Sequence, residues 1–229
     1  FSSTDGKGNG VANINVQAPD HQTSTSFGST LTGNTEEDLE YVLGGIVKDD
    51  SYKFTENTTI NVNGKDARGM DFAEGTVVDA KGKTLTINVT DGTKLNAGIS
   101  QIKNVDSHVK AEKIVIKLDS NDASGTTHAI HQDKGNLTID GDVDIDITGQ
   151  RHTVGVYSHA GSTTINGNVK VVLDGNHGGF AEYGAAGIYA HANYGGAVGG
   201  TINVNGNVDI SGVGNGLFAN IGGGTINVN

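Results

Sequence analysis

The densest set of potentially reactive side chains in this sequence is a run of aspartates. Asp142, Asp144 and Asp146 alternate with aliphatic residues, so all three carboxylates project from one side of a predicted strand. Clustered carboxylates can bind calcium or act as acid and base in polysaccharide cleavage. The run begins like a calcium loop but lacks its closing glutamate, because Arg151 stands at the twelfth position from Asp140. A solvated acidic face, a calcium site and a catalytic site are the three open interpretations.

Nucleophilic catalysis would need a serine beside a base. Ser158 and His159 are the nearest pair, but neighbours on a strand point to opposite faces, and no G-x-S-x-G phrase is present. We therefore predict that the chain is not an enzyme. His159 and His191 occupy equivalent positions in successive repeats, with Asp133 before them. This column is either a metal site or a polar ladder at a bend that satisfies backbone groups.

Aromatic residues also recur at one position of the repeat, and strand alternation points them outward. Exposed aromatic rings with polar edges suit binding to sugars or to protein backbones. The alternative is that the rings stack along the repeat for stability. We predict a ligand-binding face made of this column and of two tyrosines from flanking insertions: His131, Tyr157, Tyr189, Phe218, Tyr183 and Tyr194.

The composition excludes several classes of protein. Among 229 residues there are 36 glycines, one proline and no cysteine, so disulfides and thiolate metal sites are impossible. The formal net charge of -11 disfavours nucleic acid and anionic lipid as partners. No apolar run approaches the ~18 residues of a membrane helix. No signal peptide is visible and the last residues stop inside a repeat, so we expect a fragment of a longer protein.

Three short sequence motifs, which we call phrases, recur in a fixed order along the chain. They predict three strands per coil of a solenoid. The first phrase occurs six times, spaced 26 to 32 residues apart, beginning at Gly69, Gly98, Ala129, Gly155, Gly187 and Gly216. The second is T-I-N-V-N-G, as in Thr201–Gly206, where Asn-Gly or Asp-Gly is expected to supply a positive φ for a sharp bend. The third is the strand that follows, as in Val208–Ile210, with Ile114–Leu118 as its equivalent in another coil.

The Asn-Gly pairs also fit hairpins, which would make the chain an antiparallel sandwich or barrel. Hairpins do not explain why three strands with different sequences recur in a fixed order, so we predict parallel pairing between successive coils. Two inward columns are expected to stack along the solenoid. The first contains Ile60, Leu137, Ile202 and Ile226, and the second contains Val62, Ile139, Ile165, Val204 and Val228.

The first 58 residues differ from the rest and are predicted to form an N-terminal cap region. One strand is expected at Val11–Val16. Thr35–Leu43 predicts a short helix, because Thr35 can cap it and Leu39, Val42 and Leu43 form one apolar stripe. Residues 59–229 are predicted to form the solenoid, continuing beyond the fragment.

These repeated G-I-Y-A-H and T-I-N-V-N-G-N-V-D-I-S-G coils, rich in Gly, Asn and Thr and free of Cys, resemble the passenger domain of a Gram-negative autotransporter adhesin. The resemblance covers about residues 59–229 and implies an all-β fold, a right-handed parallel β-helix. It also implies display at the cell surface, with the outer membrane contacted only through a barrel outside this stretch. Expected partners are a host glycan, an extracellular-matrix protein, other bacterial cells or a second copy of the chain, without nucleic acid. No cofactor is expected apart from calcium at the aspartate run. A polysaccharide-active enzyme and a purely structural stalk are the alternatives.

Overall fold

The computed structural model describes residues 11–17, 31–32, 51–54, 57–65, 68–72, 75–93, 95–119, 126–149, 152–174, 185–192, 198–212, 214–219 and 223–229. Over these residues the chain is an all-β parallel solenoid built from two sheets, without a helix. The predicted fold class is therefore confirmed. The helix expected at residues 35–43 lies outside the described residues.

Two sheets form the walls of the solenoid. The first has twelve strands: β1 (Val11–Gln17), β2 (Leu31–Thr32), β3 (Ser51–Phe54), β4 (Asn57–Lys65), β6 (Val77–Thr93), β8 (Val105–Asp119), β10 (Gly135–Thr148), β12 (Ser162–Asn166), β13 (Val169–Asp174), β15 (Thr201–Val204), β16 (Val208–Gly212) and β18 (Thr225–Val228). The second has six: β5 (Arg68–Asp71), β7 (Leu95–Gln101), β9 (Thr126–Gln132), β11 (Thr153–Ser158), β14 (Ala186–Ala190) and β17 (Asn215–Ala219).

The second sheet contains one strand for each of the six occurrences of the first phrase. Its order, β17-β14-β11-β9-β7-β5, follows the chain, and every neighbouring pair is parallel. Each strand therefore pairs with its equivalent in the next coil, as a solenoid requires. The antiparallel alternative is wrong for these coils.

The first sheet supplies the other two segments of each coil. The long strand β10 pairs with β12 through its first half and with β13 through its second half. The bend between the halves lies at Gly141, whose φ of 139° is left-handed as predicted. At the equivalent Gly167 and Gly206 the predicted positive φ is wrong. Glycine is needed there because a Cβ would lie 2.2 Å from the Gly141 oxygen and 2.4 Å from the Gly167 oxygen, respectively.

Aliphatic side chains from both sheets fill a single core. The second predicted column is confirmed from Ile139 through Ile165 and Val204 to Val228. Leu137, Ile202 and Ile226 also share a column, with Thr163 between Leu137 and Ile202.

Ile60 and Val62 do not belong to these two columns, and that part of the prediction is wrong. Ile60 aligns with Ile87, and Ile87 aligns with Ile116 of the third segment. The phrase T-I-N-V-N has the same strand propensity wherever it occurs, so propensity cannot decide its column. Pairing partners in the next coil decide it, which is a tertiary effect.

The predicted N-terminal strand is present and belongs to the solenoid wall. Strand β1 pairs in parallel with β4, from Val11 opposite Asn57 to Gln17 opposite Asn63. The one antiparallel pair in the described residues is the short contact of β2 with β3. Part of the region predicted as a cap thus continues the first sheet.

The glycine that opens the phrase faces the opposite wall in four strands of the second sheet, at Gly69, Gly98, Gly155 and Gly187. A Cβ added to Gly187 would lie 2.5 Å from Cδ1 of Ile210 and 2.8 Å from the Gly216 oxygen. A Cβ added to Gly155 would likewise lie 2.8 Å from Cγ1 of Val171. The coil is therefore so narrow at this column that side chains larger than that of Ala129 do not fit without movement.

Candidate functional site

The predicted aromatic column exists on the outer side of the second sheet. Tyr157 aligns with His131 in β9 and with Tyr189 in β14, and Tyr189 aligns with Phe218 in β17. Ring centroids are 5.0 Å apart for His131 and Tyr157, 5.5 Å for Tyr157 and Tyr189, and 4.8 Å for Tyr189 and Phe218. The sequence thus placed these four residues correctly relative to one another. Tyr183 and Tyr194 lie outside the described residues.

The column is not the exposed face that strand alternation predicts. Tyr189 is 6% exposed and His131 is 7% exposed, while Tyr157 and Phe218 are partly buried. Tyr189 packs with Val154 and Ala186 in a second hydrophobic cluster, separate from the core. Alternation shows which residues point out of the coil, but not whether other groups cover them. Ligand binding by this column stays a prediction, and its rings already contact one another.

Further histidines join this column in an arrangement that the sequence did not predict in full. His128 contacts His131 on this side of the sheet, and their Nδ1 atoms lie 2.7 Å apart. Asp133, His159 and His191 lie just beyond the strands, with the His159 and His191 ring centroids 4.8 Å apart. We call these four histidines and Asp133 the histidine cluster.

Asp133 links two histidines of the histidine cluster. Its Oδ1 lies 3.3 Å from Nε2 of His131 and 3.5 Å from Nδ1 of His159. In the contact between His128 and His131 only one of the two Nδ1 atoms can carry the proton, because one must donate and the other accept.

Burial sets the electrostatics of the histidine cluster. It lowers the pKa of His128 well below the usual value, and the nearby His131 and His152 lower it further. Burial and then His159 lower the pKa of His191, against the opposing charge of Asp133. Burial alone would raise the pKa of Asp133, but the hydrogen bonds and charges of His131 and His159 outweigh it and lower that pKa.

The same burial raises the pKa of the Tyr157 phenol, and the charge of Asp133 adds to this rise. The phenol therefore stays neutral over the working pH range.

Among the described residues no group of three or more His, Cys, Asp or Glu is arranged to hold a metal ion. The polar ladder and the metal site both stay predictions.

Ser158 has a structural environment rather than that of a nucleophile. It is fully buried, and its hydroxyl donates to Oε1 of Gln132 at 2.5 Å. Gln132 in turn donates to the Gly135 carbonyl at 2.8 Å, and Gln101 of the preceding coil donates to the Val105 carbonyl at 2.8 Å. These buried amides satisfy backbone carbonyls at the corner where the chain passes from the second sheet to the first.

The aspartate run lies on the outer side of β10, among lysines. Oδ2 of Asp144 lies 2.5 Å from Nζ of Lys113, and Oδ1 of Asp142 accepts the backbone N–H of Asn168 at 2.8 Å. Asp146 aligns with Lys117 of the preceding coil. The hydrogen bond to Asp144 raises the pKa of Lys113. A calcium ion would have to displace these partners, and calcium binding here stays a prediction.

A site that the sequence did not reveal lies on the same sheet, on the preceding segment. It is an open cleft of about 630 Å³, which we call the charged cleft, lined by Asp79, Lys81, His108, Lys110 and Asp140. These residues are far apart in the chain, but Asp79, Lys110 and Asp140 align in successive strands β6, β8 and β10. Both strand pairs shift register beside the cleft, between Ala80 and Thr84 and between Asp140 and Asp142. Such bulges turn side chains away from the regular wall.

A histidine–aspartate pair fixes one side of the charged cleft. Nε2 of His108 lies 2.6 Å from Oδ2 of Asp140, and Nδ2 of Asn166 donates to the other carboxylate oxygen at 2.7 Å. Burial alone would raise the pKa of Asp140, but the hydrogen bonds from Asn166 and His108 lower it below its usual value. Asp140 is therefore an ionised, oriented acceptor. The signal for this pair is the alignment of Val109 with Ile139, which places residues 105–110 in the second segment of their coil although they lack the wording T-I-N-V-N-G.

No protein-family model, curated protein or solved structure matches this chain. The fold and the geometry therefore define the class by themselves, a parallel β-solenoid with a charged cleft on one wall. In the part of the chain described above, no helix has the length and apolar character needed to cross a membrane.

Proposed function

We propose that this chain is a non-catalytic adhesive segment displayed on the surface of a Gram-negative bacterium, as in autotransporter passengers. It attaches to a host glycan, an extracellular-matrix protein or another bacterial cell. The observation that supports binding most directly is the open charged cleft, where fixed polar groups from three coils converge. A solenoid suits this role because successive coils hold binding groups on a long wall.

Self-association is a variant of the same proposal. Asparagine ladders run along the outer wall, with Asn227 donating to Asn203 at 2.7 Å and Asn205 donating to Asn166 at 2.7 Å. Each ladder amide keeps further hydrogen-bonding capacity towards solvent. A second copy of the chain could use these repeated groups.

The proposal is tested by screening the whole chain on glycan and matrix-protein arrays. We expect at least one bound class, with binding lost in the Lys81→Ala/Lys110→Ala variant and unchanged in Lys117→Ala/Lys170→Ala. The control removes the same charge from exposed positions outside the cleft. Absence of any bound class, together with no aggregation of the chain, contradicts an adhesive role and favours the structural stalk.

A polysaccharide-active enzyme is the second candidate, and one observation favours it. His108 and Asp140 form a hydrogen-bonded pair inside an open cleft, an arrangement in which a carboxylate orients a histidine as general base. Prolonged incubation with acidic and neutral polysaccharides, followed by size analysis of the products, separates the two functions. Binding without cleavage supports the adhesin, whereas cleavage that His108→Gln abolishes supports the enzyme.

A further inference from the structure

We propose that the charged cleft binds an anionic saccharide, a chain of sugars that carries carboxylate or sulfate groups. This inference rests on the proposed adhesive function and names its ligand class. In the proposed complex the lysines of the cleft hold the acidic groups, and the His108–Asp140 pair holds hydroxyl groups.

The lysines are available for a ligand. In the described part of the chain neither Lys81 nor Lys110 forms an ion pair, whereas Lys113, on the same wall, is paired with Asp144. Lys110 aligns between Asp79 and Asp140, so its ammonium is drawn towards the cleft by both carboxylates. A protein with a net charge of -11 thus places two lysines, without an ion pair to any described residue, in one concave site.

The acceptors of the cleft are held in place before a ligand arrives. Asp140 receives one hydrogen bond on each carboxylate oxygen, from His108 and from Asn166. Oδ1 of Asp79 accepts the backbone N–H of Lys81 at 3.1 Å. Each carboxylate retains free lone pairs, which sugar hydroxyls can fill as donors. Preorganised acceptors reduce the entropy that binding costs.

Charge, rather than ring stacking, must supply the affinity. Among the described residues that line the charged cleft there is no tyrosine or phenylalanine, and the aromatic column lies on the other sheet. A neutral sugar would find hydroxyl partners here but no ring to stack on. Hydrogen bonds from lysine to a carboxylate or sulfate are charge-assisted and about twice as strong as neutral ones. The site therefore discriminates in favour of acidic sugars.

The shape of the cleft fits a chain rather than a compact ion. Asp79, Lys110 and Asp140 belong to three successive strands, so they span roughly 10 Å along the solenoid at about 4.8 Å a strand. This is about the length of a disaccharide, and the cleft is open, so a longer saccharide can continue past either end.

The test is calorimetric titration of the whole chain with three oligosaccharides of equal length: oligogalacturonate, a heparin fragment and maltooligosaccharide. We expect the two anionic probes to bind and the neutral probe to bind at least about tenfold more weakly. Lys81→Ala/Lys110→Ala should weaken anionic binding by about tenfold or more, while Lys117→Ala/Lys170→Ala stays within about twofold. Because the contacts are exposed ion pairs, raising the salt concentration should weaken binding in the wild type and much less in the cleft variant. Far-UV circular dichroism of each variant verifies the fold.

The outcomes separate this inference from the proposed function. Equal binding of maltooligosaccharide, lost in the cleft variant, overturns the anionic class but leaves glycan adhesion standing. Binding of anionic probes that is equally weakened by both lysine pairs shows an adventitious charge effect only and overturns the site. If no oligosaccharide binds but a matrix protein does, or the chain aggregates, the inference is wrong and adhesion stands. If nothing binds and the chain does not aggregate, both are wrong.

Discussion

The Nδ1 atoms of His128 and His131 lie 2.7 Å apart in adjacent buried imidazoles, so that one of the two must accept a hydrogen bond from the other. This pair belongs to the outer layer of the second sheet, where the Tyr157 ring is tilted against His128, with centroids 4.4 Å apart, and stacked on His131, with centroids 5.0 Å apart. The layer that the sequence predicts as a binding face is thus also a packed, titratable part of the fold. Its first measurable consequence is acid sensitivity.

We expect stability to fall as the pH drops below about 6.5, the ordinary histidine value. The pKa of His128 is lowered in the folded state, so below that pH the unfolded chain binds a proton that the folded chain does not. Each pH unit in this window costs up to about 1.4 kcal/mol for this group, until the folded pKa is reached. Urea unfolding at pH 7.5, 6.5 and 5.5 measures the slope.

The variant His128→Phe keeps a ring in the stack but removes the titrating nitrogen, so its slope over the same range should be shallower. The pKa of Asp133 is lower in the folded chain than its unfolded value of about 3.8. The stability that this carboxylate contributes is therefore complete above about pH 4 and is lost only at lower pH, outside the range measured here. Equal slopes for the variant and the wild type would show that His128 does not carry the effect.

Tyr189→Ala should destabilise the fold by roughly 2–4 kcal/mol, because it removes a buried ring from the outer hydrophobic cluster. Phe218→Ala should cost less, since that ring is only partly buried. Chemical denaturation of both variants makes the comparison. Loss of adhesion in a tyrosine variant supports a binding role for the column only if stability is retained. Equal stability of Tyr189→Ala and wild type would contradict the packing described here.

Gly187→Ala should destabilise by about 1–3 kcal/mol, because the added Cβ meets Ile210 and the Gly216 carbonyl. Gly216→Ala is the matched control from the same column. A Cβ there has no atom within 4 Å, so the change should be neutral or slightly stabilising. Thermal unfolding of the two variants distinguishes them. Similar losses at both positions would mean that the narrow coil is not what requires glycine.

Millimolar calcium should leave the melting temperature of the wild type unchanged, because Lys113 already neutralises Asp144. The triple variant Lys113→Ala/Lys117→Ala/Lys170→Ala removes the neighbouring lysines from both sides of the aspartate run and should gain a calcium-dependent rise that chelator reverses. A chelator-sensitive melting temperature in the wild type would instead support the calcium site that the sequence suggests.

Most of the fold could be predicted from the sequence, because the signals for it are local and repeated. Alternation of Ile and Val with Asn and Thr fixes which side of each strand is buried, and the six occurrences of the first phrase are the six strands of one sheet. It could not separate Ile60 from Ile202, since identical phrases fit either column until their neighbours are known. That decision depends on pairing between coils.

The candidate site was harder to predict for the same reason. The aromatic column was found because its members stand at one repeated position, but its burial depends on what packs over the sheet. The charged cleft was missed because His108 and Asp140 are 32 residues apart and meet only through the pairing of β8 with β10. The bulges that open the cleft have no periodic signal in the sequence.

The most direct test of the account is NMR mapping of backbone amides in the isotope-labelled chain, titrated with oligogalacturonate. The account predicts shift changes in three separate segments at once, around Asp79–Lys81, His108–Lys110 and Asp140–Gly141, which only the solenoid brings together. Shift changes centred on Tyr157 and Tyr189, or none at saturating ligand, would contradict it.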